Sequence, residues 1–381
     1  MRHIDFAKSQ SVAFRLFTGV ILCSLMTATF GYAADRSSLA AAATAYVYIG
    51  SLNGAADSIT GFAVAADGSV RPIPGSPFNL PSFGLVASGN HLFGEDTQNI
   101  ASYSVGSNGT LSETSVVNGL AYIQDPGGQY VSALNIDRAG QVLNSVDTCG
   151  SCNSEILPWM IGSDGQLSYM SSPTLQDGPA KWQGVMTFSP DNRFAYTPMA
   201  QDFGILRRNA HGVVVWINPG PVYAPPLPNP GEQVCNITTV ASSVQGFVTL
   251  GWYGGGMGCS NGYVLGNYTV GSNGSLNFVP GSQIAPAVHE NAMAFDSSGS
   301  YLAVAGNGIQ VLKLRSDGTM SVLGAPVQVQ GLNYVLWDNA NHVYALGDSL
   351  YIFNFNGQTL TQAPGSPHAI DNPASLAVVV Q

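Results

Sequence analysis

A short hairpin signature is written into this chain seven times. It reads ADGSV at 66–70, SNGTL at 107–111, SDGQL at 163–167, AHGVV at 210–214, SNGSL at 272–276, SDGTM at 316–320 and FNGQTL at 355–360. The anchoring glycines are Gly68, Gly109, Gly165, Gly212, Gly274, Gly318 and Gly357, at intervals of 39 to 62 residues. Asn-Gly and Asp-Gly favour the positive backbone dihedrals that reverse a β-hairpin tightly. A hairpin turn recurring every 40 to 60 residues or so is the spacing of a β-propeller, with one turn per four-stranded blade.

A second repeat lies upstream of these turns. An apolar strand, a polar turn and an alternating strand appear in VMTFSPDNRFAYTP (185–198), AMAFDSSGSYLAVAG (292–306) and YVLWDNANHVYALG (334–347), with weaker copies beginning at 84, 130 and 236. Each blade therefore reads inner strand, second strand, third strand, Gly turn, outer strand. Six inner strands face seven Gly turns, because the chain enters blade one (45–74) at its second strand, AYVYIG (45–50). The segment SLAVVVQ (375–381) has inner-strand character and no partners of its own. The expected fold is all-β: a seven-bladed β-propeller of antiparallel blades, its ring closed by 375–381 joining blade one, so that no sheet edge stays unpaired.

Composition agrees with such a fold. Of 381 residues, 45 are Gly and 22 are Pro, while only 9% are charged, too few to coat solvated helices. The first 34 residues differ in kind. Arg2, Lys8 and Arg15 precede LFTGVILCSLMTATFGYAA, which ends in small residues before Asp35. This is the layout of a secretory signal peptide, with a retained membrane anchor as the competing reading. The expected organisation is a signal peptide (1–34), a linker (35–44) and the propeller (45–381), in the periplasm or secreted, with no membrane attachment after cleavage. Removing residues 1–34 takes three basic residues and one acid from 12 Lys+Arg and 22 Asp+Glu, leaving 9 against 21, a net charge of −12. Such a surface repels phosphate backbones and excludes nucleic acid as a partner. Nothing in the sequence asks for a second copy, and a monomer is expected.

Four cysteines follow the leader: Cys149, Cys152, Cys235 and Cys259. An even count in an exported chain reads as two disulfides. Their placement on long loops suggests the pairs 149–152 and 235–259. A redox role for CGSC lacks the helix N-terminus that activates such a thiol, and a four-Cys zinc site lacks compact spacing in its second half.

Strand alternation sorts the connections onto two faces. The Gly turns share the bottom with the inner-to-second turns. The top holds the second-to-third loops and the crossings between blades, which are long and individual, as binding loops on a rigid scaffold tend to be. His289 stands there in HENAM (289–293), a partial zinc-protease motif with Met293 where a second His is required. Top-face acids are Glu95, Asp96, Asp147, Asp202, Glu290 and Asp348, from several blades. Their convergence near the axis would make a calcium site or an acid/base pair. Trp182, Trp252, Tyr253 and Tyr223 add flat surfaces suited to a sugar or peptide. No nucleophile elbow, P-loop or dinucleotide fingerprint occurs, so no organic cofactor is expected and calcium is the one ion with candidate ligands.

The blade AMAFDSSGSYLAVAGNGIQVLKLRSDGTM (292–320) resembles those of the lactonase-type seven-bladed propellers, which include propeller-type 6-phosphogluconolactonases and YVTN-repeat surface proteins. The resemblance spans about residues 45–381 and works at the level of the repeat, which carries fold better than function. It implies a sugar-lactone site at the top centre built from Arg, His and acidic groups. Where that family typically has Gly-Pro-Arg-His, this chain has GPAKWQG (178–184), with Lys181 and Trp182 at the Arg and His places. PAVHEN (286–291) supplies a His without an Arg. The implied catalytic residues are Lys181, His289 and Glu290. Two functions follow: an exported scaffold binding carbohydrate or protein on its top loops, or a lactonase-like hydrolase using a top-face His and carboxylate.

Overall fold

The computed structural model describes residues 42–52, 57–123, 130–148, 155–171, 174–175, 185–199, 202–216, 234–254 and 262–381. The proposed signal peptide and most of the linker lie outside them. Within residues 41–381, which form one compact unit, seven antiparallel sheets are laid out in sequence, each built on a path of four strands. Among the described residues the only helical element is one 3-10 turn, Gly119–Tyr122.

Blade one is closed as the repeat arithmetic requires. The C-terminal strand Pro373–Val380 pairs antiparallel with Ala45–Leu52, in a register that sets Tyr46 opposite Val379 and Tyr48 opposite Ala377. The order from the axis outward is Pro373–Val380, Ala45–Leu52, Asp57–Val64 and Val70–Pro72. The first and last described strands are thus held in one sheet, and Ala45–Leu52 keeps no unpaired inner edge.

All seven anchoring glycines have positive φ, between 80° and 88°. The preceding Asn or Asp completes the turn. Asn108 Oδ1 accepts from the Thr110 amide at 3.2 Å, and Asp67, Asp164, Asn273 and Asp317 accept from the equivalent amides. These turns also fasten neighbouring blades. The Tyr48 hydroxyl of blade one donates to the Gly109 carbonyl of blade two at 2.6 Å. Ser102 donates to Gly165 O at 2.6 Å, Tyr196 to Gly274 O at 2.9 Å and Asn267 Nδ2 to Gly318 O at 2.7 Å. Asn354 Nδ2 of blade seven returns to Asp67 O of blade one at 2.9 Å. One tight turn thus both ends a strand and presents its carbonyls to the preceding blade.

Charged groups on the bottom face reinforce these junctions. Asp137, 2% exposed, pairs with Arg208 of blade four at 2.8 Å. Arg138 reaches past blade four to donate to the Ser242 carbonyl and hydroxyl of blade five, at 2.9 and 2.7 Å. In blade seven, Asp338 accepts from the Tyr344 hydroxyl and binds His342 Nδ1, both at 2.7 Å. The other His342 nitrogen lies 3.3 Å from the Ala66 carbonyl of blade one. Between blades the core is apolar, formed by the alternate buried residues of second and third strands such as Tyr103, Trp159, Tyr268 and Phe353.

Candidate functional site

Residues on or next to the inner strands surround a central cavity of about 380 Å³, to which every blade contributes. Ser375 comes from blade one, Gly84 from two, Asn135 from three, Val185 from four, Thr239 from five, Asn291 from six and Tyr334 from seven. Among the described lining residues there is no Asp, Glu, His, Lys or Arg. The polar atoms that line the cavity are amides and hydroxyls. Asn291 Nδ2 donates to Leu332 O at 3.0 Å and approaches Asn333 Oδ1 at 3.5 Å. The Tyr334 hydroxyl donates to the Ala374 carbonyl across the blade seven–blade one seam.

The described top-face acids are not among the residues that line this cavity. Glu95, Asp147 and Glu290 are fully buried, but none of them lines the channel. Burial, then the fields of Asp147 and Asp96, pushes Glu95 up to about 9. Burial and the neighbouring Glu155 push Asp147 to about 8. Asp96 is spent on its own loop, accepting from the Gln98 and Asn99 amides at 2.7 and 2.6 Å. Asp348 is exposed between two strands of blade seven. Asp202 opens the third strand of blade four, its side chain outside the described residues.

His289 and Glu290 are adjacent in sequence yet not a pair in space. Glu290 opens the strand Glu290–Phe295 and His289 immediately precedes it, and the two side chains have different surroundings. His289 is exposed, while Glu290 turns inward against blade five. There Glu290 Oε1 accepts from the Thr238 hydroxyl at 3.1 Å, and Oε2 is buried without a partner. Burial raises its pKa to about 8, against the opposing pull of its own backbone amide and Thr238. The His289 ring stacks on Tyr263, with centroids 4.2 Å apart and planes 26° from parallel. Tyr263 in turn lies 5.1 Å from Tyr253, its cross-strand partner. The His289 amide is fixed by Asn307 Oδ1 at 2.7 Å. Tyr253, Tyr263 and His289 thus form a continuous aromatic step at the top of blades five and six.

Trp252 is only 2% exposed and packs in the core of blades four and five, so it is withdrawn from ligand contact. Alternation again explains this: it neighbours Tyr253, which keeps the outward side. Lys181, Trp182, Tyr223, Cys149, Cys152 and Cys259 lie outside the described residues. Cys235, on the inner strand of blade five, is disulfide-bonded. Among the described residues, no three His, Cys, Asp or Glu side chains group around a common metal position. Sequence reasoning missed Tyr263, Asn291, Asn333 and Tyr334. Tyr263 was reachable as the mirror of Tyr253 across the blade-five loop, and Asn291 as the residue two beyond His289.

No protein-family profile matches the sequence, and no curated protein matches it. Solved structures do. The periplasmic gluconolactonase PpgL of Pseudomonas aeruginosa superposes with a TM-score of 0.65 at 16% identity, over 88% of this chain and 99% of that one. The two chains share a fold, the seven-bladed propeller. A Bacteroides uniformis protein described provisionally as a 6-phosphogluconolactonase gives 0.64 at 16% identity, and a Lactobacillus plantarum protein gives 0.63 at 12%. Each again covers 88% of this chain and 99% of the neighbour. At such identities the propeller is shared as architecture, and side chains around the channel are this chain's own.

Proposed function

We propose that the protein is an exported binding module that holds a neutral carbohydrate at the top mouth of its channel. The observation that carries this is the described lining itself, amides, hydroxyls and apolar groups without a formal charge, and the Tyr253–Tyr263–His289 step at the top of blades five and six offers the stacking surface. A neutral sugar offers apolar C–H faces to stack on aromatic rings and hydroxyls to exchange hydrogen bonds with Asn and Tyr. A phosphorylated or carboxylated ligand would find no cation among these lining residues. Export is supported by the leader-like residues 1–34 and by the disulfide at Cys235, for which Cys259 is the proposed partner.

A second reading, lactone hydrolysis, is favoured by the shared fold and by Glu290, a buried carboxyl whose pKa near 8 would let it exchange protons around neutrality. One experiment separates the two: parallel screens of the mature protein for neutral-glycan binding and for lactone opening. The binding reading expects saturable glycan binding that weakens by about fivefold or more in Tyr263→Ala, for the loss of one stacking face worth about 1 kcal/mol or more. Lactone turnover abolished by Glu290→Gln, with no glycan bound, would replace it.

A further inference from the structure

Outside the channel, blades two and three bury a group of carboxyls that the binding reading does not use. Glu95 ends the second strand of blade two and Asp147 the same strand of blade three, one residue short of its end. The chain between them is short in space. Two residues after Glu95, the Thr97 carbonyl accepts from the Val131 amide at 3.4 Å. Val131 pairs directly with Asp147, and Asp147 pairs directly with Glu155 on the third strand. The three acids thus follow one line across the blade junction.

Two features set this group apart from a solvated acidic patch. Glu95 and Asp147 are both 0% exposed, and all four of their carboxylate oxygens are buried with no hydrogen-bond partner. Gly84, at φ +63°, makes room for one of them: a Cβ there would come within 2.3 Å of Glu95 Oε1. A buried carboxylate without a donor is costly, and natural interiors relieve it with a proton or a cation.

We infer that Glu95 and Asp147 form a site for a hard divalent cation of the calcium class at the blade two–blade three junction. Calcium takes six to eight oxygens, and carboxylates bind it through one or both oxygens. The donors are all oxygen, with neither sulfur nor imidazole, which disfavours zinc and copper. The two carboxylates supply the charge, with Glu155 behind Asp147 adding to the negative field. Backbone carbonyls and water complete the shell. The role is structural: the ion ties adjacent blades at the top as the Gly-turn carbonyls tie them at the bottom.

The test uses the mature protein stripped with a chelator and then titrated with calcium chloride by calorimetry, with melting temperature followed in parallel. The expected result is uptake near one ion per chain and a melting temperature that rises with calcium. Glu95→Gln/Asp147→Asn keeps the shapes and removes the charge, so it should fold, and its calcium affinity should fall by more than about tenfold. Failure of the wild type to take up calcium, magnesium or manganese would overturn the inference and leave the carboxyls protonated. Uptake unchanged in the double variant would overturn it equally, by placing the ion elsewhere. Either result leaves the sugar screen at the channel untouched.

Discussion

Glu290 and His289 show how one residue's step along the chain decides chemistry. The imidazole lies against Tyr263 and the carboxyl turns in towards Thr238, so a sequence pair becomes two unrelated groups. The buried carboxyl has a consequence for stability. Its folded pKa, about 8, lies above its ordinary value of 4.5. Its contribution is therefore fully present below about pH 4.5 and is lost as pH rises through 8. Glu290→Gln, which can still accept from Thr238, should raise the melting temperature at pH 9 and leave it little changed at pH 5. Thermal unfolding of both proteins across that range checks this, and a Gln variant equally pH-sensitive in that window would show that Glu290 does not titrate as described.

At the scale of elements, the Gly turns and the terminal strand bear the most weight. Gly165 combines φ +82° with a Cβ direction that ends 2.3 Å from His91 Nδ1, and its carbonyl accepts from Ser102. Gly165→Ala should cost about 1–2 kcal/mol from the left-handed backbone alone, with the His91 contact adding to it. Gly357, at φ +88° but with open space around its Cβ direction, should cost the backbone part only. Urea unfolding of the two variants separates the contributions, and equal losses would mean that turn docking does not matter. Removing residues 373–381 should abolish cooperative unfolding, because it strips blade one of the strand that pairs with Ala45–Leu52.

These same elements were legible in the sequence, since Asn/Asp-Gly chemistry is local and the missing first strand was a matter of counting. Blade identity, strand order and ring closure followed from the repeat. The site was much less legible. Which top-face residue turns outward depends on where each strand starts, and bulges between Glu290 and Ala292 and between Phe83 and Val86 shift that register. Trp252 was placed among ligand contacts although Tyr253 holds the outward side. The inter-blade role of the turn carbonyls is a contact between repeats, which no single repeat encodes.

For the whole molecule, seven similar sheets around an axis produce a channel whose character is set by the inner strands. Here those strands contribute amides, hydroxyls and apolar groups, while the acids are retired into the blade junctions and the cations Arg138 and Arg208 serve the bottom face. An absence of charge among the described lining residues points to recognition that does not depend on ion pairing, and hence to affinity nearly independent of salt. The most direct measurement is calorimetric titration of the mature protein with the best neutral glycan from the screen, at low and at high salt. The account predicts saturable binding, the same at both salt concentrations and weakened by Tyr263→Ala. Binding restricted to anionic ligands and lost at high salt would contradict it.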